Sequence, residues 1–315
     1  MLRFGRLLAL PLGIALGFWL TRAHAATYSV GSDGACNYTS IQDAIDAARD
    51  HEGVDFVDVA RNATYEGVSL DIADHDLVLA GGFANCSQAV ADGAYTELDG
   101  GDDTVIRIHG QGDVVILGFT ITNGRAPRTD TGFGGGIAIT GGPHLVNLAN
   151  VIVNRNEAGR GGGISVRNTI SGDPGAVQLV LSDNVTVSNN RAGYSAGRIE
   201  GGGVYCEESA LVMNGGGITS IFSNEADHDG GGVGISECDV TIAPRGATNF
   251  NGIVLNTAGR DGGGLAINGA SGGGTRIYTG AADRPVYIAG NIAGREGGGL
   301  KLDDNADVAA WDLIL

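Results

Sequence analysis

Short apolar runs separated by turn residues make up most of the chain. From Phe56 onwards, runs of three to five residues, mostly rich in Val, Ile and Leu, recur between Gly, Asp or Asn residues. This is the pattern of short β-strands joined by turns. Residues 41–48 differ, because their apolar residues recur at helical spacing and Thr39 or Ser40 precedes them as an N-cap. We therefore predict one amphipathic helix near the start of the chain and strands in the rest.

A repeat organises the strands from residue 134 onwards. Glycine triplets lead into apolar runs and begin at Gly134, Gly161, Gly201, Gly230, Gly262 and Gly297. An asparagine, followed two positions later by an alanine, precedes each of the last five triplets. These asparagines are Asn156, Asn190, Asn224, Asn256 and Asn291. Each unit of about 30 residues contains three strands and three turns.

Three strands per period without a helix point to one fold. A propeller blade needs four strands, and a β-sandwich would not repeat at a fixed period. In a parallel β-helix each repeat forms one coil, and equivalent strands of successive coils pair in parallel about 4.8 Å apart. We predict an all-β, right-handed parallel β-helix of about nine or ten coils, with the helix as a cap on its first coil.

Stacked coils place equivalent residues in columns along the axis. The five asparagines would form a ladder in which each side-chain amide bonds to the amide of the next coil. The alanine and the glycine triplet suit a tight corner, where a larger side chain or a Cβ at positive φ would clash. The alternative is that these asparagines bind a ligand.

The first 25 residues have the features of an export signal. Arg3 and Arg6 precede an apolar run from Leu7 to Leu20, and Ala23-His24-Ala25 forms a small-x-small cleavage site before Ala26. An uncleaved anchor is the alternative, but the run is shorter than the roughly 20 residues of a membrane span. Residues 26–315 contain no further stretch that we expect to cross a membrane as a helix.

Two segments follow the signal peptide. We assign residues 26–53 to the N-terminal cap and residues 54–315 to the β-helix. Residues 309–315 read as a strand without a capping segment after it. We therefore expect either that the β-helix is truncated here and that a translocation or anchoring domain follows, or that a partner covers this edge.

Composition and charge exclude several classes of protein. The chain has 56 glycines in 315 residues without the every-third-residue period of collagen, and 43% of its residues are hydrophobic, which is unlike a disordered linker. The formal net charge is −17, and the signal peptide carries only arginines as charged residues. Such a surface repels nucleic acid, anionic lipid and uronic-acid polymers unless a divalent cation mediates, so we expect no nucleic-acid partner.

The four cysteines match no zinc or haem spacing. In an oxidising compartment, a bridge between Cys36 and Cys86 would fasten the cap to the first coils, with a stabilisation of roughly 3–4 kcal/mol. Two buried free thiols are the alternative. Cys206 and Cys238 lie in neighbouring coils but three positions out of register, so a disulfide between them requires the turn to fold back.

Acidic residues precede four of the glycine triplets. Glu200, Asp229, Asp261 and Glu296 would stack one coil apart, beside a column of Arg160, His228, Arg260 and Arg295. Like charges about 5 Å apart repel, so the acidic column needs cations. The neighbouring basic residues could supply them in a surface ladder. The alternative is Ca²⁺, bound between coils by carboxylate oxygens, and we expect no other cofactor.

Two other acidic groups are weaker candidates for chemistry. Asp102 and Asp103, close in sequence to Arg107 and His109, are the best carboxylate pair for general acid–base catalysis, although acidic turns between strands are common. The run 227–229 reads Asp-His-Asp, which could be a metal cluster, but consecutive residues of a turn point apart. Glycine triplets that lead into strands do not form a phosphate loop, which must open a helix.

Two resemblances extend over residues 27–315. The Ile/Val-x-x-Asn-x-Ala element followed by Gly-Gly-Gly-Ile/Val resembles the repeat of polymorphic outer membrane proteins. The front end, Cys36-Asn-Tyr-Thr-Ser-Ile-Gln-Asp-Ala-Ile with Gly81-Gly-Phe-Ala-Asn-Cys86, is similar to exported bacterial β-helix proteins of the pectin-lyase-like superfamily. The resemblance implies a parallel β-helix, and that superfamily includes both polysaccharide enzymes and adhesins. The polygalacturonase elements are not reproduced, because Ala258 follows Asn256-Thr257 and no Gly-His-Gly occurs.

These observations favour a non-enzymatic exported protein that acts as a secreted or outer-membrane cell-surface module of the passenger or adhesion type. The partner would be a carbohydrate, a matrix component or a cell-surface component. The longest inserts, residues 124–133, 171–176 and 191–200, are the expected contact sites. The alternative is a polysaccharide lyase or glycoside hydrolase with its acids on the outer face of one column of strands.

Overall fold

The computed structural model describes residues 25–142, 144–169, 177–193, 199–215, 217–243, 251–268, 276–279, 286–302, 307–309 and 313–314. Within these ranges the chain is almost entirely β-strand, with a single α-helix, and every pairing between strands is parallel. The strands form three sheets that run along one axis. We call them sheets A, B and C.

Sheet B contains one strand from each coil. Its eight strands are Leu70–Ala73, Ile106–His109, Ile137–Gly141, Ile164–Asn168, Val204–Glu207, Val233–Ser236, Leu265–Asn268 and Leu300–Leu302. The register is regular, because Ile164 pairs with Ile137 on one side and with Val204 on the other. Each glycine triplet therefore leads into an equivalent strand.

Sheet A has 16 strands and contains the two other main strand positions of each coil. The first position holds Thr27–Val30, Asp55–Ala60, Leu77–Phe83, Val177–Leu181, Ala210–Met213, Asp239–Ile242, Arg276–Thr279 and Asp307–Ala309. The second holds Thr96–Asp99, Val185–Ser188, Thr219–Phe222, Asn251–Val254, Val286–Ala289 and Leu313–Ile314. Two long strands, Val114–Thr122 and His144–Asn154, pair with neighbours at both positions.

Sheet C consists of two-residue strands that follow the ladder asparagines. Its five strands are Glu157–Ala158, Arg191–Ala192, Glu225–Ala226, Thr257–Ala258 and Ile292–Ala293. From Ile137 onwards, each coil thus passes from sheet B through both positions of sheet A, turns at the asparagine, pairs briefly in sheet C and returns through the glycine triplet to sheet B.

The core is a continuous apolar column inside the coils. Alternate residues of each strand point inward, as in Val177–Leu181, where Val177, Leu179 and Leu181 have no exposed surface. Stacking such strands buries the same column of aliphatic side chains from one coil to the next. The outward positions carry the polar and charged residues that form the candidate sites.

The helix, α1, covers the first coil. It spans Ile41–Arg49, and the Ser40 hydroxyl accepts a hydrogen bond from the Asp43 backbone N–H at 3.3 Å, which identifies Ser40 as the N-cap. Its buried face consists of Ile41, Ala44, Ile45 and Ala48, the residues that the helical spacing singles out. This face packs against Thr27–Val30, Asp55–Ala60 and Leu70–Ala73.

The prediction of an all-β parallel β-helix is confirmed. Against the nine or ten coils predicted, sheet B has eight strands in the described residues, and these delimit seven full turns. The first position of sheet A has ten strands in the same residues, including the two long ones, because Thr27–Val30 and Asp55–Ala60 precede the first strand of sheet B. The apolar runs Val114–Leu117 and Phe119–Ile121 are halves of one strand, Val114–Thr122, which bends at Gly118 with a φ of 77°.

Candidate functional site

The asparagine ladder lies at the corner between sheets A and C. Asn224 donates from Nδ2 to the Asn256 Oδ1 and to the Val187 carbonyl oxygen, both at 3.0 Å. Its own Oδ1 accepts from the Asn190 backbone N–H at 3.0 Å and from the Asn190 Nδ2 at 2.9 Å. The same contacts join Asn156 to Asn190, and Asn256 to Asn291.

These contacts leave the ladder little capacity to bind a ligand. A side-chain amide has two N–H donors and two acceptor positions on its oxygen, and Asn224 uses all four within the protein. Asn224 and Asn190 are each only 1% exposed. The geometry therefore favours a structural role for these residues over ligand binding.

The glycine triplets permit the close approach of backbones at the next corner. Gly230, the first of its triplet, has a φ of 79°, and all five other in-phase triplets also begin at positive φ. A Cβ on Gly231 would lie 2.5 Å from the Gly263 carbonyl oxygen, and one on Gly232 would lie 2.7 Å from that of Gly264. The triplet is thus required by both conformation and space.

Three of the four acids of the column are paired with basic side chains of the following coil. The Glu200 carboxylate lies 2.6 Å from the His228 Nδ1 and also accepts the His228 backbone N–H at 2.9 Å. Asp229 accepts from Arg260 at 3.1 Å. Asp261 binds Arg295 of the following coil in the same way, whereas Glu296 binds Lys301 of its own coil.

Backbone donors complete this arrangement. The second oxygen of Asp229 accepts the Asp261 backbone N–H at 3.1 Å, and that of Asp261 accepts the Glu296 backbone N–H at 3.2 Å. Burial raises the pKa of Asp229 above its usual value, against the opposing charge of Arg260. The structure thus contains pairs between the acidic and the basic column, which was one of the two alternatives predicted from the sequence. Ca²⁺ binding at these four acids stays a prediction.

Arg160 occupies the basic column but contacts aromatic rings. Its guanidinium carbon lies 5.6 Å from the ring centroids of both Phe133 and Tyr205. Arg167 lies 3.7 Å from the Phe133 centroid and pairs with Glu207 at 2.5 Å. Burial raises the pKa of Tyr205 above its ordinary value. This group fastens the end of the insert 124–133 to the outer face of sheet B.

Asp102 and Asp103 have different surroundings. The Asp102 side chain is fully exposed and lies 3.7 Å from Arg125. Asp103 pairs with Arg107 and accepts from the Ser69 hydroxyl at 3.3 Å. Burial alone would raise the pKa of Asp103, but the hydrogen bonds from Arg107 and from the Thr104 backbone outweigh it and hold the pKa below its usual value. The two carboxylates therefore do not form a pair that shares a proton.

Asp103, Arg107 and His109 form a group on the outer face of sheet B, which we call the outer-face group. Two further members, Ser69 and Asp71, were not among the candidates predicted from the sequence. The Asp71 carboxylate lies 2.9 Å from the His109 Nε2, and the Ser69 hydroxyl accepts from Arg107 at 2.6 Å. The signal that could have found them is the register, in which Asp71 pairs with Arg107 in sheet B. That register is hard to read from sequence because these coils precede the glycine triplets.

The Asp-His-Asp run does not converge on one point. Asp227 binds Arg128 and Arg191, whereas His228 binds Glu200, and Asp229 binds the next coil. Across the described ranges, one group of His, Cys, Asp and Glu has ligand atoms close enough to hold a metal ion, namely Asp33, Cys36 and Cys86. Its two sulfurs are joined in a disulfide, so they do not offer thiolates.

Both pairs of cysteines form disulfides. Cys36 and Cys86 have Cα atoms 5.1 Å apart and join the segment before the helix to the one after strand Leu77–Phe83. Cys206 and Cys238 have Cα atoms 6.0 Å apart. The required fold-back of the turn occurs at Glu237, which adopts a φ of 55° and directs the buried Cys238 into the core.

The predicted signal peptide lies almost wholly outside the described residues, which begin at Ala25. The insert 171–176 also lies outside them, as do residues 194–198 of the insert 191–200. Within the described part of the chain, no helix is both long enough and apolar enough to span a membrane.

Comparison with known proteins adds little on function. No protein-family model matches the sequence, and the search of curated proteins gave no match either. Among solved structures, the chain is similar to the pectin methylesterase from Aspergillus niger in deglycosylated form, with 18% sequence identity. The alignment covers 91% of this chain and 84% of that chain, and its TM-score of 0.29 is too low to carry an argument. The fold class is therefore assigned from the strand pairing of this chain itself, which defines a parallel β-helix.

Proposed function

We propose that this protein is an exported β-helix that acts by surface contact, as a cell-surface or secreted module of the passenger or adhesion type. The observation that supports it best is the insert 124–133, whose exposed tip stands on a base that is bonded to several coils. The partner would be a carbohydrate, a matrix component or another cell-surface component.

The base of this insert is held by backbone and side-chain contacts. The Ala126 N–H donates to the Glu157 carbonyl oxygen at 2.9 Å, and the Gly159 N–H donates to that of Pro127 at 3.1 Å. Arg128 reaches Asp227, 99 residues further along the chain, at 2.5 Å. An anchored loop keeps its shape before binding, so a partner does not have to order it.

The tip of the insert is open to solvent. Residues 127–131 are all exposed, and the hydroxyl oxygens of Thr129 and Thr131 lie 3.1 Å apart. Hydroxyl and carboxylate groups on a pre-ordered loop suit hydrogen bonding to sugar hydroxyls or to a polar protein surface. Elsewhere on the described outer face, many charged side chains are paired with one another, as in Arg167 with Glu207.

Export is supported by the disulfides and by the sequence of residues 1–25. Disulfides persist in oxidising compartments and are rare in the cytosol, and this chain has two, one of them inside the core. Delivery to the outer membrane or the medium would place the acidic surface outside the cell.

A second candidate function is a polysaccharide lyase or glycoside hydrolase. The observation that favours it is the outer-face group in which Asp71, Arg107 and His109 lie on adjacent strands of sheet B and Asp103 lies in the turn before one of them. An imidazole beside a carboxylate can transfer a proton near neutral pH. Against this role, Asp103 is bound to Arg107, which favours its ionised form and makes it a poor general acid.

Binding to a panel of immobilised pectin, alginate and neutral glycans, with and without Ca²⁺, tests the proposed contact site. We expect saturable binding to at least one of them. Replacing Thr129, Asp130 and Thr131 together by alanine should weaken that binding about tenfold, which is a typical effect for central contact residues.

The matched control is Glu97→Ala, an exposed position in sheet A away from the insert. It should bind as the native protein does. If the tip variant also retains native affinity, the insert is not the contact site. If the protein instead degrades a polymer of the panel, the enzymatic candidate replaces the proposal.

A further inference from the structure

Asp55 is a buried carboxylate at the junction between the cap and the first coils. It begins the strand Asp55–Ala60 and has no exposed surface. Its Oδ1 lies 3.0 Å from the His51 Nδ1, and its Oδ2 lies 3.2 Å from the His75 Nε2. A carboxylate removed from water is unfavourable unless strong donors surround it.

A hydrogen bond comes from the backbone nitrogen of Ala26, 2.9 Å from the Asp55 Oδ1, whereas the contact between the Asp55 Oδ2 and the His75 Nε2 lacks hydrogen-bond geometry. Ala26 precedes the first strand, Thr27–Val30, and its carbonyl oxygen accepts the Phe56 N–H at 2.9 Å. Ala26 is therefore held against the strand Asp55–Ala60 by both its backbone N–H and its carbonyl oxygen. This nitrogen is also the one that follows the predicted cleavage site, Ala23-His24-Ala25.

We propose that cleavage between Ala25 and Ala26 converts the Ala26 nitrogen into an ammonium group that forms a buried ion pair with Asp55 and locks the cap onto the β-helix. A signal peptidase catalyses hydrolysis of this peptide bond by water. Its oxygen goes to the departing Ala25 carboxylate, and the Ala26 nitrogen takes up protons to become –NH₃⁺. This inference rests on the proposed export.

The change of charge accounts for the strength of the lock. Before cleavage, the Ala26 nitrogen is an amide that donates one hydrogen bond to Asp55. After cleavage, it supplies three N–H donors and a positive charge at the same position, opposite a carboxylate that is shielded from water.

Other groups near Asp55 are compatible with a cation at this position. Burial raises the pKa of Tyr28, and the negative charges of Asp55 and Asp50 raise it further, together with Tyr38. In the described residues His51 and His75 lie against Asp55, and Asp55, Tyr38 and Asp50 act on Tyr28. The ammonium group would place a positive charge opposite the Asp55 carboxylate.

A double-mutant cycle on the secreted full chain tests the proposal. One change inserts Gly-Ser between Ala25 and Ala26, which keeps the cleavage motif but moves the new amine two residues away from Asp55. The other change is Asp55→Asn. We expect the insertion to lower the thermal midpoint of the native protein by about 3–6 °C and to have little effect in the Asp55→Asn background.

A second measurement covers the case in which Asp55→Asn does not fold. The α-amine of the native protein should react with an acylating reagent about tenfold more slowly than that of the insertion variant, because its ion pair keeps it protonated. Asp43→Asn, which alters an exposed carboxylate of the same helix outside this cluster, should leave the slow reaction unchanged.

N-terminal sequencing of the secreted protein separates this inference from the proposal of export. Secretion with cleavage at another bond overturns the lock and leaves export intact. Cleavage before Ala26 with equal labelling rates, and with no coupling to Asp55, also overturns it. A chain that stays in the cytosol with its first residues intact contradicts both.

Discussion

Each ladder asparagine closes a corner of its coil with all four hydrogen-bonding positions of its amide. The residue before it turns the chain, because Arg155, Asn189, Ser223 and Leu255 all adopt a φ between 52° and 57°. The amide then bonds the carbonyl oxygen of the preceding coil and the amide of the following one. The corner therefore depends on one side chain per coil.

Asn224→Ala should lower the free energy of unfolding by about 3 kcal/mol, because it leaves several buried partners unsatisfied at about 1–3 kcal/mol each. The affected groups are the Asn190 amide and the Val187 carbonyl oxygen. Denaturant unfolding measures the change. The control is Asn154→Ala at an outward, half-buried position of strand His144–Asn154, and we expect a loss below about 0.5 kcal/mol. Equal losses at both sites would show that the ladder bonds contribute nothing specific.

Leu255 departs from the usual chemistry of this corner. It has a φ of 57° and is 61% exposed, although a left-handed conformation costs a residue with a Cβ about 1–2 kcal/mol. Leu255→Asn should therefore stabilise the protein by about 1 kcal/mol, since asparagine tolerates this conformation.

The control for this change is Ile292→Asn. Ile292 is similarly exposed, at 63%, but it lies in a strand with an extended backbone. The same substitution should give no gain there, because asparagine is disfavoured in strands. A gain of equal size at both positions would attribute the effect to loss of exposed apolar surface instead of backbone strain.

At the scale of the element, the turn before sheet B joins successive coils by charge. An acid in one coil binds a basic side chain and a backbone N–H of the next, as Asp229 does with Arg260 and Asp261. The sequence suggested these columns, because both residue types keep a fixed distance from the glycine triplets.

Asp229 and Asp103 should give opposite pH dependence, because burial raises the pKa of Asp229 above 3.8, whereas Arg107 and Thr104 outweigh burial and lower that of Asp103. A carboxyl group with a raised pKa contributes stability below its unfolded-state pKa and loses it as the pH rises through the folded-state pKa. Asp229→Asn should therefore gain stability relative to the native protein as the pH rises from about 4.

Asp103 contributes stability above its unfolded-state pKa and loses it as the pH falls through its lowered folded-state pKa. The deficit of Asp103→Asn should therefore shrink as the pH falls below about 4. Urea unfolding of both variants between pH 2.5 and about 6 measures these trends. Parallel pH profiles for the two variants would contradict the assigned surroundings.

The repeat explains which features could be predicted from the sequence. The corner around Asn224 and Gly230 occurs several times, so its spacing defines the coil and the columns. Asp71 and Ser69 lie in earlier coils that lack the triplet, and their partners became visible only through the register of sheet B. The continuous strand through Gly118 could not be predicted, because the apolar runs on its two sides read as separate strands.

The contacts of individual charged groups could not be predicted in the same way. Arg160 lies in the predicted basic column, yet it contacts Phe133 and Tyr205. Phe133 belongs to an insert, and an insert has no counterpart in the neighbouring coils from which its position could be inferred. Asp55 gave no signal in the sequence, because the first coils lack the glycine-triplet repeat that defines the columns.

At the scale of the whole molecule, the parallel coils make a long acidic body whose described outer face carries paired charges and one anchored insert. Two disulfides fix the cap and two middle coils. This architecture is compatible with the proposed function, in which a secreted protein offers an extended surface to a partner. The proposed lock at Asp55 would complete the body only after export.

The most direct test of the account is the fate of a polysaccharide that the purified, oxidised protein binds. The protein is added at a concentration equal to that of its binding sites on the polymer. The unsaturated ends and reducing ends that are released are then measured over time. A protein that acts by surface contact should bind saturably and release neither kind of end. Release of either product that is lost on Asp102→Asn or Asp103→Asn would contradict the account and establish the protein as a polysaccharide-degrading enzyme.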